Sequence, residues 1–151
     1  MENKEYYTPE IDELFIGYKC QRRVTKPNYV EKYLYEWRDY TLDEHYFSAG
    51  YEEGQDWNYY EVELRTHYLC KQDIIDLGWI DTEYGYFDIS PSNTDDYLHR
   101  LRFLNDKNRD GSPSIEIIFI GAFDRSTVFY GKCKSKNELK KLMKDYLNIP
   151  I

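Results

Sequence analysis

Tyr68-Leu-Cys-Lys-Gln-Asp-Ile-Ile-Asp-Leu-Gly-Trp79 is the stretch whose reading decides the fold. Its apolar residues change spacing partway along. A half-exposed strand is expected to run to about Leu69, whereas Ile74, Ile75 and Leu77 supply the buried side of a helix. The spacing predicts a strand feeding a helix of about two turns. Asp73 lies near the positive N-terminal end of that helix. Gly78 stands where a left-handed C-terminal cap is wanted, and Trp79 is placed to fold back onto the helix. Such a unit supplies architecture rather than chemistry.

Working upstream, Val62, Leu64 and Thr66 alternate with Glu61, Glu63 and Arg65, which predicts a half-exposed strand. Leu14, Ile16, Tyr18 and Cys20 alternate with Phe15 and Gly17, which predicts a first strand beginning near Ile11. Arg22, Arg23, Lys26, Pro27 and Asn28 then read as a loop, and Met1 to Glu10 as a partly ordered lead-in. Residues 29–38 fit a helical stripe through Val30, Tyr33, Leu34 and Trp37. They also fit a strand face through Tyr33, Tyr35 and Trp37, and composition favours the strand.

Downstream, strands are expected at Tyr84–Ile89 and Tyr97–Leu104, followed by a loop from Asn105 to Pro113. Ile115–Gly121 is the most apolar run and is read as the central strand. Val128, Phe129 and Tyr130 follow as a hairpin partner after a turn at Asp124–Thr127. Ser135 and Glu138 have capping-box spacing. Leu139, Leu142, Met143, Tyr146 and Leu147 form one apolar helical stripe, with lysines around it and Pro150 beyond. The expected fold is α+β in a single domain over residues 1–151. It has a mostly antiparallel sheet of about five to seven strands, a C-terminal amphipathic helix on one face and a short helix near 71–77.

A chain of 151 residues is long enough to bury roughly two-thirds of its unfolded surface. Its 17 tyrosines can build a core from half-exposed sheet faces, since each buries a ring and keeps its hydroxyl wet. The net charge of −8 is uneven: residues 1–65 hold 15 acids and 8 bases, residues 131–151 hold 2 and 6. So acidic a body argues against nonspecific binding of nucleic acid or an anionic membrane, and suits docking on a basic surface. Cys20, Cys70 and Cys133 form no paired motif, the usage of a reduced compartment. With no long apolar run, the expectation is a soluble, cytoplasmic protein.

Three blocks, about 40 residues in all, keep their order along the chain: Glu5-Tyr-Tyr-Thr-Pro-Glu-Ile-Asp-Glu-Leu-Phe-Ile-Gly17, the Tyr68–Trp79 stretch, and Tyr130-Gly-Lys-Cys-Lys-Ser-Lys-Asn-Glu-Leu-Lys-Lys-Leu-Met143. In these the chain resembles a family of small uncharacterised proteins common in Bacteroides-type gut bacteria and their phages. The resemblance implies a phage or mobile-element accessory protein. It implies no catalytic residue. Residues 39–56 fit the family pattern least.

Motif chemistry is sparse. Asp106-Lys-Asn-Arg-Asp-Gly111 imitates the first half of a calcium loop, but the twelfth position is Ile117 where a bidentate glutamate is required. A polar hairpin loop is the better reading. His45, His67 and His99 have no metal-ligand spacing with each other or with Cys70 and Cys133. Cys20 and Cys133 lie in apolar contexts that suit inert thiols. The lysines of the C-terminal helix read as a solvated face. No cofactor or metal is expected, and no catalytic constellation marks an enzyme.

The candidate working surface is the run from Asp39 to Glu61, which has acids and aromatic rings interleaved and no lysine or arginine. Asp43, Glu44, Tyr46, Tyr51, Glu52, Glu53, Asp56 and Trp57 are its predicted contact residues. Carboxylates there can stand in for phosphates, and rigid rings offer contact area at low entropic cost. The expected partner is a host protein with a basic surface, bound by a non-enzymatic inhibitor or anti-defence factor acting as a nucleic-acid mimic. The alternative is a binder that sequesters a small nucleotide signal in an aromatic pocket.

Overall fold

A computed structural model of the chain describes residues 4–25, 35–48, 63–90 and 96–149. Its class is α+β, with every strand pair antiparallel. The strands fall into two sheets, one of four strands and one of five. The chain divides accordingly into two units, Met1–His67 and Tyr68–Ile151. Each is taken by itself.

The first unit contains β1 (Tyr6–Tyr7), β2 (Lys19–Thr25), β3 (Tyr35–Thr41), α1 (Glu44–Ser48) and β4 (Leu64–His67), with sheet order β1-β4-β2-β3. Gln21 lies opposite Arg65 on one side and Asp39 on the other, which fixes the two faces of the sheet. Cys20 and Leu64 turn inward and are buried with Tyr18 and Leu42, while Leu14, Tyr40, Tyr46 and Phe47 pack against them. Gln21, Trp37, Asp39 and Arg65 share the other face.

Three expectations change here. Residues 14–18 are not a strand: Ile16 is 60% exposed and Tyr18 1%, although strand alternation would put them on one face. Instead a 3-10 turn at Ile11–Glu13 leads to a turn at Gly17, whose φ of +93° is strained for any side chain, and β2 starts at Lys19. Arg22 and Arg23 belong to β2 rather than to a loop. Their long stems lie along the sheet, with the Arg22 guanidinium 5.0 Å from the Tyr40 ring centroid and Arg23 3.0 Å from Glu63. The polar lead-in supplies an edge strand, Tyr6 pairing with His67 and Tyr7 with Thr66.

The second unit contains α2 (Lys71–Asp76), β5 (Ile80–Asp81), β6 (Phe87–Ile89), β7 (Tyr97–Phe103), β8 (Ser114–Gly121), β9 (Arg125–Lys132) and α3 (Lys136–Leu147). Its sheet is a meander in which spatial order equals chain order. The short helix ends as the sequence predicts. Gly78 takes φ +95°, its N–H donates to Ile75 O at 2.9 Å, and the Trp79 N–H reaches back to Ile74 O at 3.3 Å. Beyond these two hydrogen bonds the Trp79 ring lies in the core, where it is 2% exposed and its Nε1–H donates to Met143 Sδ at 3.2 Å. The capping box of α3 forms with one shift. Ser135 Oγ accepts the Glu138 N–H at 3.4 Å, but the Glu138 carboxylate accepts from Lys134 N–H at 2.6 Å, one residue earlier.

Leu139, Met143 and Leu147 of α3 join Leu69, Ile74, Trp79, Phe87, Leu101, Ile115 and Ile117 in one buried cluster. Each such large side chain contributes on the order of 1.5–3 kcal/mol of transfer free energy. Boundaries again move. Tyr84 is 85% exposed in a turn where Glu83 has φ +66°, so pairing starts at Phe87. The β8–β9 turn sits at Gly121–Asp124, closed at 2.8 Å, which places Arg125 to Thr127 in the strand. Strand β8 is interior, between β7 and β9, while β7 holds the middle of the sheet. Asn148, at φ +53°, stops α3; Pro150 lies outside the described residues. Among the described residues no helix is long and apolar enough to cross a membrane.

Candidate functional site

The acidic aromatic run begins on β3, an outer strand of the first sheet, and continues into α1. Its first residues divide their labour. Asp43 caps α1, its carboxylate accepting the Tyr46 N–H at 3.1 Å. Asp43 and Glu44 are exposed, whereas Tyr46 and Phe47 are half-buried. Tyr46 meets Tyr40 edge-on at 6.5 Å and Phe47 at 5.2 Å, and all three pack on the Tyr18–Leu42 core. Rings therefore anchor the start of the run while carboxylates face water. Of the predicted contact residues, Asp43, Glu44 and Tyr46 are brought together here, and Tyr46 serves the core. Tyr51, Glu52, Glu53, Asp56 and Trp57 lie outside the described residues.

A second group on the first unit comes from residues that sequence reading did not single out. Arg65 of β4 places its guanidinium 4.0 Å from the Tyr6 ring centroid and 4.3 Å from that of Trp37. Its Nε–H donates to Gln21 Oε1 at 3.0 Å, and Gln21 Nε2 in turn donates to Asp39 Oδ1 at 3.2 Å. Four strands thus contribute to one polar and aromatic cluster. The only sequence signal was the alternation that put Arg65 on the exposed side of its strand; Tyr6 lay in a stretch read as lead-in.

The other candidate chemistries resolve into structure within the second unit. Asp110 of the calcium-like loop is engaged by Lys132, and its Oδ1 accepts from the Ser112 hydroxyl at 2.5 Å and the Ser112 N–H at 2.9 Å. Lys132 foremost, then Ser112, hold that carboxyl well below the usual range. Asn108 turns its amide to Ser112 O and Ser114 Oγ, at 3.0 and 2.9 Å. The loop's side chains brace a hairpin, and Tyr68 ties it down through a 2.7 Å bond to Asp110 O. Asp73, buried at the first turn of α2, accepts from the Cys70 N–H at 3.0 Å and the Cys70 thiol at 3.3 Å, which serves the cap.

Burial pushes the Cys20 thiol of the first unit up to about 11 and that of Cys133 well above its ordinary value, opposite to what a nucleophile needs. His99 is 6% exposed on β7, between the rings of Tyr97 and Phe119 at 6.0 and 5.7 Å. Its Nδ1 has no hydrogen-bond partner among the described residues, and desolvation lowers its pKa. Lys136 of the basic helix pairs with Asp76 at 3.1 Å.

No protein-family model matches the chain, and no match is found to a curated protein or to a solved structure.

Proposed function

We propose that the protein is a non-enzymatic binding factor of the phage-accessory kind, which holds a host protein by that partner's basic surface. The contact is made by the acidic aromatic run from Asp39 to Glu61, and its consequence is to block a nucleic-acid-handling or defence complex. One observation supports this reading above the others. At the start of the run the rings of Tyr40, Tyr46 and Phe47 are used for packing, and the carboxylates of Asp43 and Glu44 are left on the surface. An anchored base with outward acids is what electrostatic docking requires. The raised thiol pKa values of Cys20 and Cys133 weigh against covalent catalysis at those positions.

The test is affinity capture from the native host, comparing the natural chain with a Glu52→Lys, Glu53→Lys, Asp56→Lys variant. The expected result is a host protein recovered at fixed stoichiometry by the natural chain and lost from the variant. Recovery unchanged by the charge reversal overturns the proposed surface. A small molecule released on heating, with no protein bound, favours a sequestering role instead.

A further inference from the structure

We propose that the Tyr6–Arg65–Trp37 cluster on the open face of the first sheet is a carboxylate-binding site for an acidic peptide segment of a protein partner. This contact meets the acidic run only at Asp39, is of opposite polarity, and does not depend on that run's role in binding. Three features of the cluster carry it.

First, the guanidinium is preorganised. Rings from β1 and β3 hold it at 4.0 and 4.3 Å, and its Nε–H is fixed on Gln21 Oε1 at 3.0 Å. Gln21 is itself oriented by Asp39 at 3.2 Å, which leaves its amide oxygen toward Arg65. An arginine so restrained loses little entropy on binding. Second, two donor groups of the guanidinium are unspent. The neighbouring carboxylate of Glu63 is paired with Arg23 at 3.0 Å and that of Asp39 is taken by Gln21. Among the described residues the two Nη groups of Arg65 have no acceptor, although a guanidinium offers a parallel pair of donors to a planar anion. Third, the cluster is reachable: Tyr6 is 39% exposed, and Trp37 and Arg65 are half-buried. Tyrosine, tryptophan and arginine are the residue types that dominate binding energy at protein interfaces. A carboxylate fits better than a phosphate because residues 1–65 carry 15 acids against 8 bases, and repulsion from that surround grows with the charge of the ligand.

The experiment is an NMR titration of the full chain, following the Arg65 Nε–H and the Trp37 indole N–H. The probes are a five-residue alanine peptide with one central glutamate, blocked at both ends, the matching glutamine peptide, and inorganic phosphate. Saturable shifts of both signals with the glutamate peptide, absent with the glutamine peptide, are expected. Arg65→Lys keeps the charge and loses the planar fork, so the apparent Kd should rise at least about tenfold. The wild-type titration stands alone should that variant fold poorly. Absence of saturation, equal shifts at Arg100, tighter binding of phosphate than of the peptide, or full binding by Arg65→Lys each overturns the assignment.

Discussion

Gly78→Ala isolates a purely conformational cost. A Cβ added at Gly78 would meet nothing within 4 Å, so overpacking contributes nothing. The two hydrogen bonds of the cap, from the Gly78 and Trp79 N–H groups, need no side chain and would survive. What remains is the φ of +95°, a region where an L side chain costs about 1–2 kcal/mol. Alanine also restricts the unfolded chain, which offsets part of that loss by about 0.4–1 kcal/mol. The net expectation is about 1 kcal/mol of destabilisation, or a Tm lower by roughly 4–8 °C for a cooperative unit of this size. Thermal and urea melts followed by circular dichroism measure it, with tryptophan fluorescence as a second probe. Gly78→Asn should fall between the natural chain and alanine, because asparagine tolerates the left-handed region, and Gly78→Val should be worst. A Gly78→Ala protein as stable as the parent, or a valine variant no worse than alanine, would refute the cap that organises this unit.

Trp79→Phe removes both ring volume and the N–H donated to Met143 Sδ at 3.2 Å; a loss of about 1–3 kcal/mol is expected in urea melts. Trp79→Ala should cost about 3–5 kcal/mol. For His99, desolvation places the folded pKa below the ordinary 6.5, so the unfolded chain binds more protons. Its contribution is whole above the unfolded value, declines as pH falls through it, and levels off below the folded value; His99→Phe should flatten that part of the Tm–pH curve. Thiol titration of the native protein at mildly alkaline pH should find Cys70, which is half-buried, reacting first. Cys20, raised to about 11, and buried Cys133 should react only on denaturation.

Legibility followed the range over which each structural decision is made. The helix, glycine and tryptophan of residues 71–79 were readable because a cap is a local event, settled by a few neighbouring residues, but Ile75, read as part of the buried side, is exposed. The C-terminal helix was readable for the same reason, with Ser135, Leu139, Met143 and Leu147 agreeing, although Tyr146 of the expected stripe is 61% exposed. Strand ends were not. Leu14, Ile16 and Tyr18 alternate as a strand does, yet Gly17 turns the chain, and nothing in spacing alone separates a turn from a pleat. Arg22 and Arg23 looked like a loop because charge suggests water, whereas an arginine stem over Tyr40 or beside Glu63 is content on a sheet. The Arg65 cluster was invisible because it draws on Tyr6, Gln21, Trp37 and Arg65, which only the register of four strands brings together. The division of strands between two sheets is likewise a matter of long-range pairing.

The two proposed contacts on the first unit constrain each other. An acidic run attracts a basic partner from a distance, but water and salt screen exposed charges within about 8 Å at physiological ionic strength. Its effect should therefore fall mainly on the association rate and weaken with added salt. Arg65 has a different character. Held by two rings and with its Nε already satisfied, it acts at contact range, where a partner carboxylate exchanges water for a fixed fork of donors. Removing that fork should raise the dissociation rate and leave association nearly unchanged. A partner meeting both requirements must carry a basic patch for the run and at least one carboxylate for Arg65. With such a mixed surface, net charge would bring any basic protein near, and only one with a carboxylate placed over β4 would be kept there.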